Sequence, residues 1–251
     1  MDLTSLTRDL GGLMPLIVAI FLFGSTIKGA MGVGMPLVSV PLLSLLIPSP
    51  QAMGLLVAPV LFSNAMQVRE AASVKEVLHR MRWLLLSLFA IMFLTVRWTT
   101  TISPEELNRW VGGSVLLAAL LMAFKPNTRI PPQFEPTIGV FVGAIAGFMG
   151  GVSSLTGPVV VAYLLALRMA RDEFVGTISV IYLVTALPMY LAMLWYERFG
   201  WAELAVSCLA MAPVFLGLAL GKRIRKRLDD QTFHRLLLVF LILVAALLVL
   251  K

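Results

Sequence analysis

The residues best suited to bind a charged ligand gather around two glycine- and proline-rich interruptions in an otherwise apolar chain. Lys28 is a basic residue inside an apolar run, and it lies beside the first interruption. The hydroxyl residues Ser153, Ser154 and Thr156 come just before a Gly-Pro pair at the second. An ammonium group, hydroxyls and free backbone N–H groups at the start of a helix all attract negative charge. These residue types therefore predict binding of a small anion.

Glycines and further polar residues around both interruptions complete the candidate set. Glycine lets backbone N–H groups approach a ligand closely, and proline interrupts a helix. The candidate substrate-binding residues are Lys28, Gly29, Gly32, Gly34, Ser39, Asn64, Gly151, Ser153, Ser154, Thr156 and Gly157, and the candidate helix breaks are Pro36, Pro41 and Pro158.

Each polar candidate also has a purely structural interpretation. A lysine at the centre of a membrane helix costs about 2.5–3.5 kcal/mol, which makes Lys28 a functional candidate. Near a membrane face, however, Lys28 could extend its ammonium group to the surface at little cost. Serine and threonine in membrane helices often bond the carbonyl one turn earlier or join neighbouring helices. Both interpretations stay open at the level of sequence.

The two interruptions belong to two similar segments of the chain. Residues 22–64 align without a gap with residues 144–186, at an offset of 122. The matched pairs include Gly29 with Gly151, Pro36 with Pro158, and Gly54 with Gly176. Corresponding Gly/Pro interruptions in two halves of a membrane protein are the best sequence indication of a transporter binding site.

The amino-acid composition indicates a membrane protein. Of its 251 residues 59% are hydrophobic and 13% charged, and its mean hydropathy is +0.94. A soluble domain carries about 25% charged residues. The net charge of +7 comes from lysines and arginines between apolar runs, so it predicts basic cytoplasmic loops and no nucleic-acid partner.

The apolar runs predict eight to ten membrane segments. They cover residues 13–31, 35–47, 52–68, 83–96, 111–124, 137–152, 157–167, 174–194, 202–220 and 233–250. The runs 35–47 and 157–167 are too short to span a bilayer, which takes about 20 residues. They are therefore either half-helices of re-entrant hairpins or helices that borrow residues from the break.

The distribution of basic residues distinguishes between two possible membrane topologies. If each interrupted pair crosses twice or dips in and returns, 14 basic residues fall on one side and 5 on the other. If each pair crosses once, the division is 9 against 10, which gives no bias. The positive-inside rule favours the first arrangement, with five helical elements per half and both termini outside. We therefore predict an all-α polytopic membrane protein of two inverted repeats, residues 1–126 and 127–251.

Several other features limit the function. The two histidines, His79 and His234, lie in or beside basic loops, and Cys208 has no obvious partner base, so we predict no metal, no cofactor and no enzyme activity. We also expect no carboxylate to be buried in an apolar segment, which disfavours a cation carrier. The spacing Gly143–Gly147–Gly151 predicts close helix packing. The stretch from Ser103 to Glu106 predicts a capped helix start.

The glycine-rich pattern resembles the sulfite exporter TauE/SafE family of membrane permeases. The resemblance covers nearly the whole chain and carries over Gly29, Gly32, Gly34, Pro36 and Pro41 in the first copy and Gly147, Gly150, Gly151, Gly157 and Pro158 in the second. It implies a multi-pass transporter of the bacterial inner membrane for small anions such as sulfite or sulfonates. The second copy departs from a dense glycine pattern at Ser153–Thr156, so the two copies need not contact the substrate equally.

These observations lead to one functional expectation and two alternatives. We expect a secondary transporter that moves a small anion by alternating access, with the two interruptions meeting near the midplane. Its partners would be the anion, membrane lipid, a coupling ion (H⁺ or Na⁺) and a second copy in a homodimer. The alternatives are a duplicated permease for a neutral or cationic metabolite, and a membrane scaffold or enzyme.

Overall fold

The computed structural model describes residues 11–31, 34–68, 73–123, 129–169, 171–224, 239 and 241–248. Within these residues every regular element is a helix, which confirms the all-α polytopic architecture. The helices are α1 (Met14–Met31), α2 (Met35–Ser44), α3 (Ser49–Gly54), α4 (Val57–Val68), α5 (Val74–Arg80), α6 (Arg82–Trp98), α7 (Pro104–Ala123), α8 (Glu135–Ser153), α9 (Gly157–Ala166), α10 (Arg171–Trp195), α11 (Trp201–Leu209) and α12 (Met211–Ile224). A short 3₁₀ helix, Pro132–Phe134, leads into α8, and residues 241–248 are also helical.

Two helical segments of the described chain are long and apolar enough to cross a membrane unaided, Pro132–Ser153 and Gly176–Trp195. Two bent pairs meet the same test together, α5 with α6 (74°) and α11 with α12 (45°). The helices α2 and α9 have 10 residues each. Ten residues rise about 15 Å, half of a hydrocarbon core of about 30 Å. The short runs thus form half-length helices, whereas the number of membrane segments stays a prediction.

The helix boundaries of the two copies match at the offset of 122 residues that the sequence alignment gave. Helix α2 begins and ends 122 residues before α9, and α1 ends 122 residues before α8. The copies then differ, because the first forms α3 and α4 where the second continues as α10. Pro59 accounts for this difference: it lies in the first turn of α4, where its missing N–H is tolerated, while Ile181 takes the matched position in α10. The inverted orientation of the copies stays a prediction.

The chain forms two compact units that do not coincide with its two halves. One comprises Met1–Val60, Ser103–Leu116 and Glu197–Lys251, and the other comprises Leu61–Ile102 and Leu117–Tyr196. Each unit therefore takes segments from both predicted repeats.

In the first unit, α1 packs against α12 with their backbones in contact. A Cβ added to Gly29 would lie 2.5 Å from the carbonyl oxygen of Leu218, and one added to Gly221 would lie 2.8 Å from the Cα of Gly29. Gly217 contacts Ser25 in the same way, one turn earlier in both helices. Contact positions rise together along both helices, so the helices run parallel. In a membrane no hydrophobic effect draws helices together, and small residues at the contact let the two backbones approach closely.

In the second unit, α8 packs on α6 through a face of glycines. A Cβ added to Gly143 would lie 3.0 Å from the carbonyl carbon of Leu84, and one added to Gly147 would lie 3.1 Å from that of Leu88. Gly151 meets Thr95 one turn further on. These helices also run parallel. The prediction that the glycine spacing serves close helix packing is confirmed.

The predicted start of α7 is also confirmed. The hydroxyl of Ser103 accepts a hydrogen bond from the N–H of Glu106 at 3.1 Å, and Pro104 takes the first helical position. The backbone N–H of Glu105 and the hydroxyl of Ser103 lower the pKa of the Glu105 carboxyl. Both features are those of a helix N-terminus, where acidic groups are favoured.

Candidate functional site

The first interruption separates α1 from α2. Gly34 has φ +106°, in the left-handed region that favours glycine, and immediately precedes α2. Pro36 follows in the first turn of α2, where no intrahelical bond is lost. Pro41 lies inside α2, which continues past it to Ser44. The candidate Gly32 lies outside the described residues.

Lys28 lies in the last turn of α1 and is only 3% exposed. Its side chain therefore does not extend to the surface in the way that the alternative interpretation required. A cation near the carbonyl end of a helix is stabilised by the helix dipole. Burial nevertheless makes the charge expensive unless a counter-charge or strong hydrogen bonds compensate it.

The other polar side chains of the first copy differ in their contacts. The hydroxyl of Ser25 donates to the carbonyl of Phe21 at 2.6 Å, and that of Thr26 donates to the carbonyl of Leu22 at 2.7 Å. Ser39 is fully buried against Gly24, where α1 meets α2. Gly29 is a contact of α1 with α12, as described above. Asn64 is buried in α4 and belongs to the second unit.

The second interruption separates α8 from α9. The hydroxyl of Ser153 donates to the carbonyl of Met149 at 2.7 Å, so it serves its own helix. Ser154 ends α8 in the left-handed conformation, with φ 60°, and its N–H donates to the carbonyl of Gly150 at 2.8 Å. Helix α9 then begins at Gly157, with Pro158 in its first turn.

Buried hydroxyls surround this second break. Ser154 is 7% exposed, and its Oγ forms no hydrogen bond of ordinary geometry within the described residues. The Tyr190 hydroxyl lies next to it. The Tyr182 hydroxyl lies 2.8 Å from the position that a Cβ on Gly157 would occupy. Thr156 packs its methyl group against Gly150.

Sequence reasoning missed both tyrosines. They lie in α10, 25 and 33 residues after Gly157, and only folding brings them to the break. Only a weak sequence signal was present: Tyr182 lies in an apolar run, and the matched residue of the first copy is Val60.

The expectation that no carboxylate is buried in an apolar segment is wrong. Glu203, in the run 202–220, is 4% exposed. Its Oε2 accepts the N–H of Gly200 at 2.9 Å, so the acid caps the start of α11. Phe199 and the Cβ of Glu203 also pack against Gly54. Burial of the carboxylate therefore follows from its capping role.

A charged cluster ties together helix ends in the second unit. Arg80 at the end of α5 forms a two-pronged ion pair with Glu135 at the start of α8, with distances of 2.7 and 3.1 Å. The same guanidinium reaches Glu173 in α10 at 2.7 Å. The Tyr163 hydroxyl donates to the carbonyl of Glu135 at 3.0 Å. The sequence had indicated Arg80 only as a loop charge.

Two observations bear on other ligands. The described residues contain no group of three or more histidine, cysteine or acidic side chains placed to hold a metal ion. A hollow of about 560 Å³ on the second unit is lined by Phe89, Ala90, Met92, Phe93, Leu94 and Pro188. Its lining offers no side-chain donor or charge, so it does not suit an anion.

Comparison with known proteins gives one match. Residues 16–248 match the family described as Sulfite exporter TauE/SafE. No curated protein and no solved structure matches the chain.

Proposed function

Because the chain belongs to the sulfite exporter TauE/SafE family, and is therefore a multi-pass membrane transporter, we propose that it carries a small oxyanion such as sulfite or a sulfonate. The observation that carries this proposal is the burial of Lys28 beside the first helix break. A buried ammonium group interacts strongly with an anion that enters the same surroundings of low dielectric constant.

Each interruption has a part in this proposal. Helices α2 and α9 both start at a break, and a helix N-terminus attracts anions through its free N–H groups and dipole. Broken helices within a membrane are tolerated where they are buried in protein or line a cavity. Gly34 and Gly157 would let backbone N–H groups approach the substrate.

The transport cycle follows from the same architecture. We propose secondary transport by alternating access, driven by a gradient of H⁺ or Na⁺ across a bacterial inner membrane, with a homodimer as the assembled form. Ser153, Gly29 and Gly151 are assigned to helix structure and packing, because their contacts are those of neighbouring turns and helices. Each break is assigned its own anion-binding groups: Lys28 and the start of α2 at the first, and Ser154, Thr156 and the start of α9 at the second.

The test is sulfite flux into liposomes containing the purified full-length protein. Lys28→Gln keeps a long polar side chain but removes the charge, and we expect transport to fall at least about tenfold, since hydrogen bonds to charged groups contribute about 1.5–3 kcal/mol. Lys222→Gln, an exposed lysine in the last turn of α12, is the matched control and should transport normally.

Two results would contradict the proposal. Full transport by a well-folded Lys28→Gln variant would remove Lys28 from the site. Uptake of an amine or a sugar, with no uptake of sulfite, sulfate, taurine or sulfoacetate by the wild type, would replace the anion carrier with a permease for cationic or neutral metabolites.

A further inference from the structure

The start of α9 presents backbone N–H donors that have no partner within the helix. The first-turn N–H groups of a helix have no carbonyl partner within it, and Thr156, which precedes α9, forms no side-chain cap. Pro158 contributes no N–H at all. The remaining donors point out of the helix end, at the break between α8 and α9.

A tyrosine hydroxyl is buried at the same point. The Tyr182 oxygen is inaccessible and has no hydrogen-bond partner among the described residues. It lies so near Gly157 that a Cβ there would approach it to 2.8 Å. Glycine at position 157 is therefore what allows the hydroxyl to reach the helix start.

A second buried hydroxyl lies just before the same helix. Ser154 is 7% exposed, and the Tyr190 hydroxyl lies beside its Oγ. Ser154 also holds a left-handed conformation that non-glycine residues adopt at a cost. Buried hydroxyls without a hydrogen bond are rare in folded proteins, so the Tyr182 hydroxyl at this helix start indicates a missing acceptor.

The matched positions of the first copy carry no such groups. Val60 stands at the position of Tyr182, and Gly34 at that of Thr156. Conversely, Gly150 takes the position of Lys28. Residues 22–64 contain no tyrosine, so the hydroxyl of Tyr182 has no counterpart in the first copy.

We propose that Tyr182 and Ser154 are substrate-binding residues, which with the start of α9 form a neutral donor cradle for the oxygens of an oxyanion. This inference rests on the proposed anion transport and adds a specific residue to it, Tyr182. The site has three neutral donors and no acceptor-only group. It therefore favours a ligand that is rich in oxygen acceptors and has no proton to donate, such as a sulfite or sulfonate group.

The test measures sulfite binding by calorimetry on the purified full-length protein. Tyr182→Phe removes only the hydroxyl and keeps the ring, so we expect the protein to fold and the Kd for sulfite to rise about ten- to hundredfold. Ser154→Gly also removes a hydroxyl, in a conformation that glycine readily adopts, and should weaken binding without loss of stability.

Two variants serve as controls. Tyr196→Phe removes a hydroxyl from the tyrosine that packs on Phe93, and Ser153→Ala removes the hydroxyl already bonded to Met149. Both should bind sulfite as the wild type does.

The outcomes separate this inference from the proposed function. If Lys28→Gln loses sulfite binding while Tyr182→Phe and Ser154→Gly keep it, the donor cradle is overturned and anion transport stands. If the wild type binds no oxyanion, both are overturned. An equal loss in Tyr196→Phe would also overturn the assignment, because the effect would then not be specific to the break.

Discussion

At the scale of the residue, two serine side chains have different uses at the second break. Ser153 and Ser154 are neighbours, yet one hydroxyl bonds its own helix and the other forms no hydrogen bond of ordinary geometry. The difference arises because Ser153 has helical geometry while Ser154 has left-handed φ. Backbone conformation at a helix end therefore decides whether a hydroxyl is available to a ligand.

Gly34 gives a prediction about stability at this scale. Its φ of +106° is unfavourable for any residue with a Cβ, so Gly34→Ala should lower the free energy of unfolding by about 1–2 kcal/mol. Gly34→Asn should lose less, because asparagine tolerates the left-handed region better. Thermal melts of both variants in detergent check this. Equal melting temperatures for the wild type and Gly34→Ala would show that α2 can start from another conformation.

At the scale of the element, faces of glycine residues determine which helices pack together. Helix length determines whether a helix can cross a membrane. The faces on α8 and α12 bring backbones together, which fixes the helices that precede or follow the breaks. The half-length helices α2 and α9 rise about 15 Å and are too short to cross a hydrocarbon core of about 30 Å.

Gly147 tests the packing of α8 on α6. A Cβ at this position would overlap the carbonyl of Leu88, and neither backbone can give way as a flexible side chain would. We expect Gly147→Ala to destabilise the protein by about 1–3 kcal/mol, the usual cost of overpacking. Gly113→Ala in α7 is the control, because a Cβ there meets nothing within 4 Å. Size-exclusion profiles and melting temperatures distinguish the two, and equal behaviour would mean that α8 shifts freely along α6.

At the scale of the whole molecule, the compact units draw on both halves of the sequence. Helix α8, from the second half, packs on α6, from the first, and α12 packs on α1 across the same division. If the units are the bodies that move during transport, the predicted repeats 1–126 and 127–251 are not the moving parts.

A disulfide within the second unit tests this idea. The Cβ of Leu84 lies 3.6 Å from the position of a Cβ on Gly139, within the range for a disulfide. We expect the double variant Leu84→Cys and Gly139→Cys, made with Cys208→Ser, to transport sulfite equally well when oxidised and when reduced. The two single cysteine variants are the controls. Transport that stops on oxidation and returns on reduction would show that the sequence halves move against each other.

The sequence by itself determined the membrane class, the positions of the two helix breaks, the glycine packing and the capped start of α7. These features depend on composition and on residues within a few turns of each other, so local rules suffice. The tertiary structure decided the surroundings of the polar groups: it buried Lys28, bonded the Ser153 hydroxyl to its own helix, placed Glu203 in a cap and brought Tyr182 to Gly157. Such outcomes depend on contacts between distant segments, and no spacing along the chain records them.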